Sequence, residues 1–100
     1  MRTLERWIAG GSRQPVRLAG HDRQIFVRIG GTGDWCTLLH GFPTSSFDWH
    51  MVWDGLSERR RLLACDLLGF GDSDKPADHD YTLHEQADLT EALWRAHGIR

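Results

Sequence analysis

Cysteine is scarce in this 100-residue sequence: only Cys36 and Cys65 occur, each inside an apolar run. Such residues read as reduced core thiols of a cytoplasmic protein rather than as a disulfide framework. No stretch approaches the ~20 apolar residues of a membrane span, and the N-terminus lacks the apolar core of a secretory leader. Neither charge sign dominates: 12 basic and 14 acidic residues give a net charge of −2. Nothing therefore points to nucleic acid or an anionic membrane as partner. The one basic run, Arg59-Arg60-Arg61, precedes an apolar run and reads as the solvated start of a strand. The 6 histidines are scattered without the paired spacing of a zinc site, so no metal or other cofactor is expected. Internal repeats, low-complexity tracts and interdomain linkers are also lacking. The length suits one small domain.

What is present centres on His40-Gly41-Phe42-Pro43. It follows the apolar run Trp35-Cys36-Thr37-Leu38-Leu39, whose lack of alternation suits a strand covered on both faces. It precedes a segment of helical spacing, 46–56, with Trp49, Val52, Trp53 and Leu56 on one face. Ser45 or Ser46 can cap that helix, and Asp48 suits its first turn. A strand thus ends in a sharp loop that feeds a helix, and strand ends of open α/β sheets are where such proteins place their chemistry. Pro43 biases Phe42 toward extended backbone, and Gly41 is expected to permit a turn that a Cβ would obstruct. The Phe42 N–H is then left without a ladder partner, free to face an anionic oxygen as half of an oxyanion hole. A strand-ending turn with no chemistry is the alternative on these four residues alone.

The flanking chain supplies the rest of an α/β pattern. Residues 1–13 form a lead-in with Leu4, Trp7 and Ile8 at helical spacing, and 14–100 form a single partial domain. Val16 and Leu18 mark one strand, residues 20–23 a turn, and Ile25, Val27 and Ile29 a second strand, together a hairpin. Residues 30–33, Gly-Gly-Thr-Gly, tempt a phosphate-cradle reading. They lack the Lys-Ser/Thr of a P-loop and no helix follows, so a turn is favoured. Leu62-Leu63-Ala64-Cys65 is a second buried strand, and strand–helix–strand order implies a parallel crossover. The loop at 66–76, Asp-Leu-Leu-Gly-Phe-Gly-Asp-Ser-Asp-Lys-Pro, should share the sheet edge with residues 40–43, its aspartates bonding nearby backbone amides. Thr82 and Glu85 read as a capping box for a helix with Leu83, Ala87, Thr90, Leu93 and Trp94 on its apolar face. Glu91 and Arg95 can pair, Gly98 can cap the C-terminus, and His97 complements the helix dipole.

Three stretches in this order, 39–49, 66–76 and 81–89, resemble the N-terminal part of the α/β-hydrolase fold family. The likeness is to its epoxide hydrolase and haloalkane dehalogenase branch, and especially to the mesoderm-specific-transcript type of hydrolase. The resemblance implies that Phe42 lends its N–H to a developing oxyanion, that His40, Gly41 and Pro43 shape the loop, and that the bond into Pro43 is often cis. It implies a small apolar substrate, an epoxide, ester or halide, at a mouth lined by Phe42, Trp49 and Phe70. Phe42 stands where dehalogenases carry Asn, which counts against halide chemistry. The family's nucleophile elbow follows the next strand, expected beyond Arg100. Neither it nor the acid or histidine base has a match here, and Asp66, Asp72 and His97 do not fill those roles. The expectation is an N-terminal fragment, inactive alone, whose apolar strand edge is open to a C-terminal half or to self-association. A non-catalytic interaction module using that edge is the alternative.

Overall fold

The computed structural model describes residues 3–99. The chain forms helix α1 (Thr3–Ala9), strands β1 (Ser12–Leu18), β2 (His21–Gly31) and β3 (Asp34–Leu39), a 3-10 turn (Ser46–Trp49), helix α2 (Trp53–Ser57), strand β4 (Arg60–Cys65) and helix α3 (Leu83–Ala96). One four-stranded sheet results, in the order β1-β2-β4-β3. β1 and β2 pair antiparallel as the expected hairpin, β2 pairs antiparallel with β4, and β3 runs parallel to β4 in the register Leu39↔Cys65.

Strand alternation sends side chains to two apolar clusters. Ile25 and Val27 of β2 with Leu63 and Cys65 of β4 join Val16, Leu18, Leu89 and Leu93 in the cluster under α3. Phe26, Leu38, Leu62 and Ala64 join Trp7 and Trp53 in the other, beneath α1 and α2. β4 is covered on both faces, and Leu62, Leu63, Ala64 and Cys65 are each 0 % exposed. This double cover is why its sequence is uniformly apolar. β3 has the same apolar character but borders the sheet, and only Leu38 among its residues is buried.

Four expectations need correction. The hairpin turn sits at Ala19 and Gly20, with φ of 49° and 82°, and His21 already belongs to β2. Positive φ at both central positions matches strand twist, though Ala-Gly carries little sequence signal for it. The helical spacing of the lead-in does form a helix, α1, which buries Trp7, but β1 already starts at Ser12, inside the expected lead-in. The single helix over 46–56 is instead a 3-10 turn followed by the five-residue α2. Bonds from Asp48 N to Ser45 O, His50 N to Phe47 O and Val52 N to Trp49 O all span three residues. That tighter winding rotates successive side chains by more than an α-helix does. Trp53 is turned into the core, while Val52 and Leu56 are exposed. Along α3 the buried residues are Leu89, Thr90 and Leu93, whereas Leu83, Ala87 and Trp94 face outward.

The caps follow the sequence more closely. Ser45 accepts from Phe47 N at the 3-10 turn, and Thr82 Oγ1 accepts from Glu85 N at 3.0 Å. The Glu85 carboxylate engages His79 Nε2 at 2.6 Å instead of the Thr82 N–H, so only the Thr82 half of the expected capping box forms. Past α3, Ile99 N bonds Trp94 O and Gly98 N bonds Arg95 O around Gly98 at φ 70°, a Schellman closure. Glu91 and Arg95 form an ion pair. His97 Nε2 lies 3.1 Å from Gln14 Oε1, tying the end of α3 to β1.

Candidate active-site loops at the ends of β3 and β4

Because β3 and β4 are parallel neighbours in register, the segments after Leu39 and Cys65 emerge side by side. His40 is buried, and its Nε2 accepts the Leu67 amide hydrogen at 2.9 Å. Nδ1 therefore carries the ring hydrogen and donates to Gly41 O at 2.8 Å. Gly41 O also accepts from Thr44 N and Thr44 Oγ1, at 3.2 and 3.0 Å. The Phe42–Pro43 bond is cis. Phe42 is 86 % exposed, and its N–H donates to no acceptor among the described residues. A Cβ at Gly41 would meet open space within 4 Å. The expectation that glycine is sterically required there is not supported by the geometry.

Asp66 is the buried carboxylate of the neighbouring loop. It is 3 % exposed. Its Oδ1 accepts from Ser46 N and its Oδ2 from Asp72 N, both at 2.7 Å. Around it the loop doubles back through Gly71, at φ 54°, where a Cβ would come within 2.2 Å of Asp66 Oδ2. Glycine is required at this position on both counts. Ser73 Oγ donates to Asp66 O at 2.5 Å and accepts from Phe26 N at 2.9 Å. Asp74 Oδ2 accepts from Gln24 N at 2.6 Å, and Asp74 Oδ1 pairs with Arg13 at 2.7 Å. Asp66 and Asp74 bond backbone amides as expected, Asp66 in its own loop and at Ser46, Asp74 at Gln24 of β2. Beyond Cys65 the loop stands in for a strand, satisfying β2 amides that β4 no longer reaches.

The two loops enclose an open cleft of about 630 Å³ lined by His40, Gly41, Phe42, Leu67, Gly69, Phe70, Tyr81, Leu83 and Gln86. Phe70 lies edge-on to both His40 and Phe42, with centroids 5.4 and 5.8 Å apart. Tyr81 closes one side, its hydroxyl donating to Pro76 O at 2.7 Å. Gln86 clamps the Leu68 peptide from α3, its Oε1 accepting from Leu68 N at 3.0 Å and its Nε2 donating to Leu68 O at 2.9 Å.

Of the residues singled out from sequence, His40, Gly41, Phe42 and Phe70 meet at this cleft, with Pro43 next to Phe42. Trp49 does not; it packs against the Trp7–Trp53 cluster. Sequence reasoning missed Ser46, Tyr81 and Gln86. A glutamine on a helix gives no periodic signal, and the role of Ser46 depends on segments distant in sequence.

Cys65, directly before Asp66, has its thiol pushed up to about 12 by burial first and the Asp66 carboxylate second. Cys36 and Cys65 are both free. Arg28 lies over Trp7 and Trp53, at 4.4 and 5.1 Å from the ring centroids. Burial lowers its guanidinium from the ordinary value, and Asp54 partly opposes this. Among the described residues, no cluster of His, Cys, Asp or Glu could hold a metal ion, and no helix is long and apolar enough to cross a membrane.

Comparison with known proteins supplies a family. The chain is 51 % identical over 78 residues to the mesoderm-specific transcript homolog protein of Homo sapiens, covering 77 % of this chain and 23 % of that protein. It is 46 % identical over 89 residues to a haloalkane dehalogenase of Sphingobium indicum, covering 86 % of this chain and 29 % of that one. Among solved structures, an alpha/beta hydrolase fold protein from Burkholderia ambifaria superposes with a TM-score of 0.76 at 35 % identity, over 86 % of this chain and 31 % of the other. The haloalkane dehalogenase DatA of Agrobacterium tumefaciens gives 0.73 at 38 % identity, over 91 % of this chain and 30 % of the other. The chain thus spans less than a third of the length of these relatives. The family's sequence model, described as alpha/beta hydrolase fold, matches residues 37–100. With that match over more than half of its length, and with these superpositions, the chain belongs to the α/β hydrolase fold family.

Proposed function

We propose that this chain is the N-terminal part of a hydrolase in which the Phe42 amide is one donor to a developing oxyanion. The attacking carboxylate or serine, its acid partner and the histidine base then come from sequence beyond these residues. The observation that carries this reading is the unpartnered Phe42 N–H at the rim of a mainly apolar cleft. Its relatives' lengths, three to four times greater, also support it. The substrate is small and apolar, because Phe42, Phe70, Leu67 and Leu83 offer it hydrocarbon surface. Esters and epoxides are favoured over halides, since the Phe42 side chain has no N–H for a halide ion. Two unpaired thiols fit a reducing compartment, and a cytoplasmic location is part of the proposal.

The test pairs this chain with a C-terminal segment of a family member that carries the nucleophile elbow, and assays hydrolysis of short aryl esters and epoxides. Phe42→Ala keeps the amide hydrogen and should retain kcat. Phe42→Pro removes it and should lose about a hundred- to a thousandfold in kcat. Equal losses in the two variants, with both folded by circular dichroism, would refute the role given to the amide.

A second reading has its own observation. The outer edge of β3 has no partner strand among the described residues, and Leu39 on it is 45 % exposed. An open edge of this kind can recruit another chain. A specific partner unrelated to hydrolases, with no turnover upon complementation, would favour an interaction module.

A further inference from the structure

We infer that Asp66 is a positioning residue: its buried carboxylate sets where residues 40–46, and with them the Phe42 amide, stand over the end of β3. The inference rests on the reading of Phe42 as an oxyanion donor and adds the group that holds that donor in place.

The loop at 40–46 is tied across to the next strand end at both of its limits, by two consecutive residues. At its start, His40 Nε2 accepts from Leu67 N. At its finish, Ser46 N donates to Asp66 Oδ1. The remaining bonds around Gly41 O, from Thr44 N, Thr44 Oγ1 and His40, are internal to the segment and shape it without placing it on the sheet. The 2.5 Å contact of Thr44 Oγ1 with Asp48 is local too. Trp7 Nε1 donates to Ser46 Oγ at 2.9 Å and so holds the side chain of Ser46. Among the described residues, only Asp66 is bonded to the Ser46 backbone from outside the loop.

The chemistry of Asp66 suits a fixed post. A carboxylate accepts on both oxygens, and here each takes one backbone N–H, from two different segments. Charge-assisted bonds of this kind are short and strong. Asn in its place has one acceptor and one donor, so its NH2 must oppose either Ser46 N–H or Asp72 N–H. Gly71 lets the loop close over the carboxylate, since a Cβ there would come within 2.2 Å of Oδ2. Nor does it line the cleft, so it touches no substrate there and acts only through the loop.

Asp74 provides the control. It lies in the same loop and also accepts a backbone N–H, but from Gln24 of β2, and makes no bond to 40–46. Asp66→Asn and Asp74→Asn should both lower the thermal midpoint. In the 15N-labelled chain, Asp66→Asn should shift the Phe42 amide resonance and speed Ser46 amide exchange at least tenfold, while Asp74→Asn leaves both as they are. In the complemented enzyme, Asp66→Asn should lose about ten- to a hundredfold in kcat with KM within twofold, and Asp74→Asn should keep its kcat. A Phe42 resonance as unmoved in Asp66→Asn as in Asp74→Asn overturns the inference. If Asp66→Asn does not fold, the unmodified chain decides: Ser46 N–H must exchange at least tenfold more slowly than Phe42 N–H, and equal rates overturn the inference. Should Phe42→Pro retain kcat, the oxyanion reading falls, while the amide resonances still decide what Asp66 does.

Discussion

His40 and Leu67, 27 positions apart, are joined by a single hydrogen bond of 2.9 Å in which the imidazole is the acceptor. An acceptor Nε2 requires the neutral ring, and removing the ring takes this acceptor from the Leu67 N–H. His40→Ala should lower the unfolding free energy by about 1–3 kcal/mol. His40→Gln, whose amide oxygen can take the same hydrogen, should lose less. Urea titration with unchanged m-values would check both, and equal losses would count against the bond.

Trp7 and Ser46 should be energetically coupled. The indole N–H donates to Ser46 Oγ across 39 residues in a buried setting. A double-mutant cycle of Trp7→Phe and Ser46→Ala should return a coupling of about 1 kcal/mol. Additive losses would mean that Trp7 acts only by filling volume beside Trp53.

Thiol chemistry should separate the two cysteines. Cys36 is partly exposed, while Cys65 is sealed in the sheet with its thiol pushed up to about 12. A disulfide reagent at neutral pH should label Cys36 alone until the chain is unfolded. Stability should also fall in alkali. Above the reference value of 9.0 the unfolded thiol has lost its proton while the folded one keeps it, up to about 12. Unfolding therefore releases a proton, and this contribution is intact below that window. Within it, stability should drop by about 1.4 kcal/mol per pH unit. Cys65→Ala should flatten the slope.

Self-association should run through β3. Leu39 is half exposed on an edge strand, and a lysine on such an edge discourages pairing. Leu39→Lys should shift sedimentation of the concentrated chain toward monomer with little change in circular dichroism. An unchanged profile would place the contact elsewhere.

Much of the architecture could be read before any coordinates. Ile25, Val27 and Ile29 against Val16 and Leu18 gave the hairpin, and the unbroken run Leu62 to Cys65 gave the doubly covered strand. The helix over 46–56 could not, because apolar residues at 49, 52, 53 and 56 fit an α-helix equally well. The bonds that wind this stretch as a 3-10 turn leave no trace in that spacing. The rotation of α3 was illegible for another reason. Gln86, a polar residue, faces inward to clamp Leu68, while Leu83 and Trp94 turn outward, Trp94 bonding Thr37 Oγ1 at 2.8 Å. Within the candidate site, the Phe42 loop was visible as a motif. The placement of that loop by Asp66 required knowing that two distant segments meet.

The sheet order carries a consequence for how the molecule is made. Among the described residues β3 pairs with no strand but β4, and β4 alone joins it to the hairpin. A chain emerging from the ribosome therefore holds β3 idle until residue 65 has appeared, with Trp35, Cys36 and Leu38 waiting for a surface. Stalled products ending before the fourth strand should contain the hairpin and nothing more of the sheet.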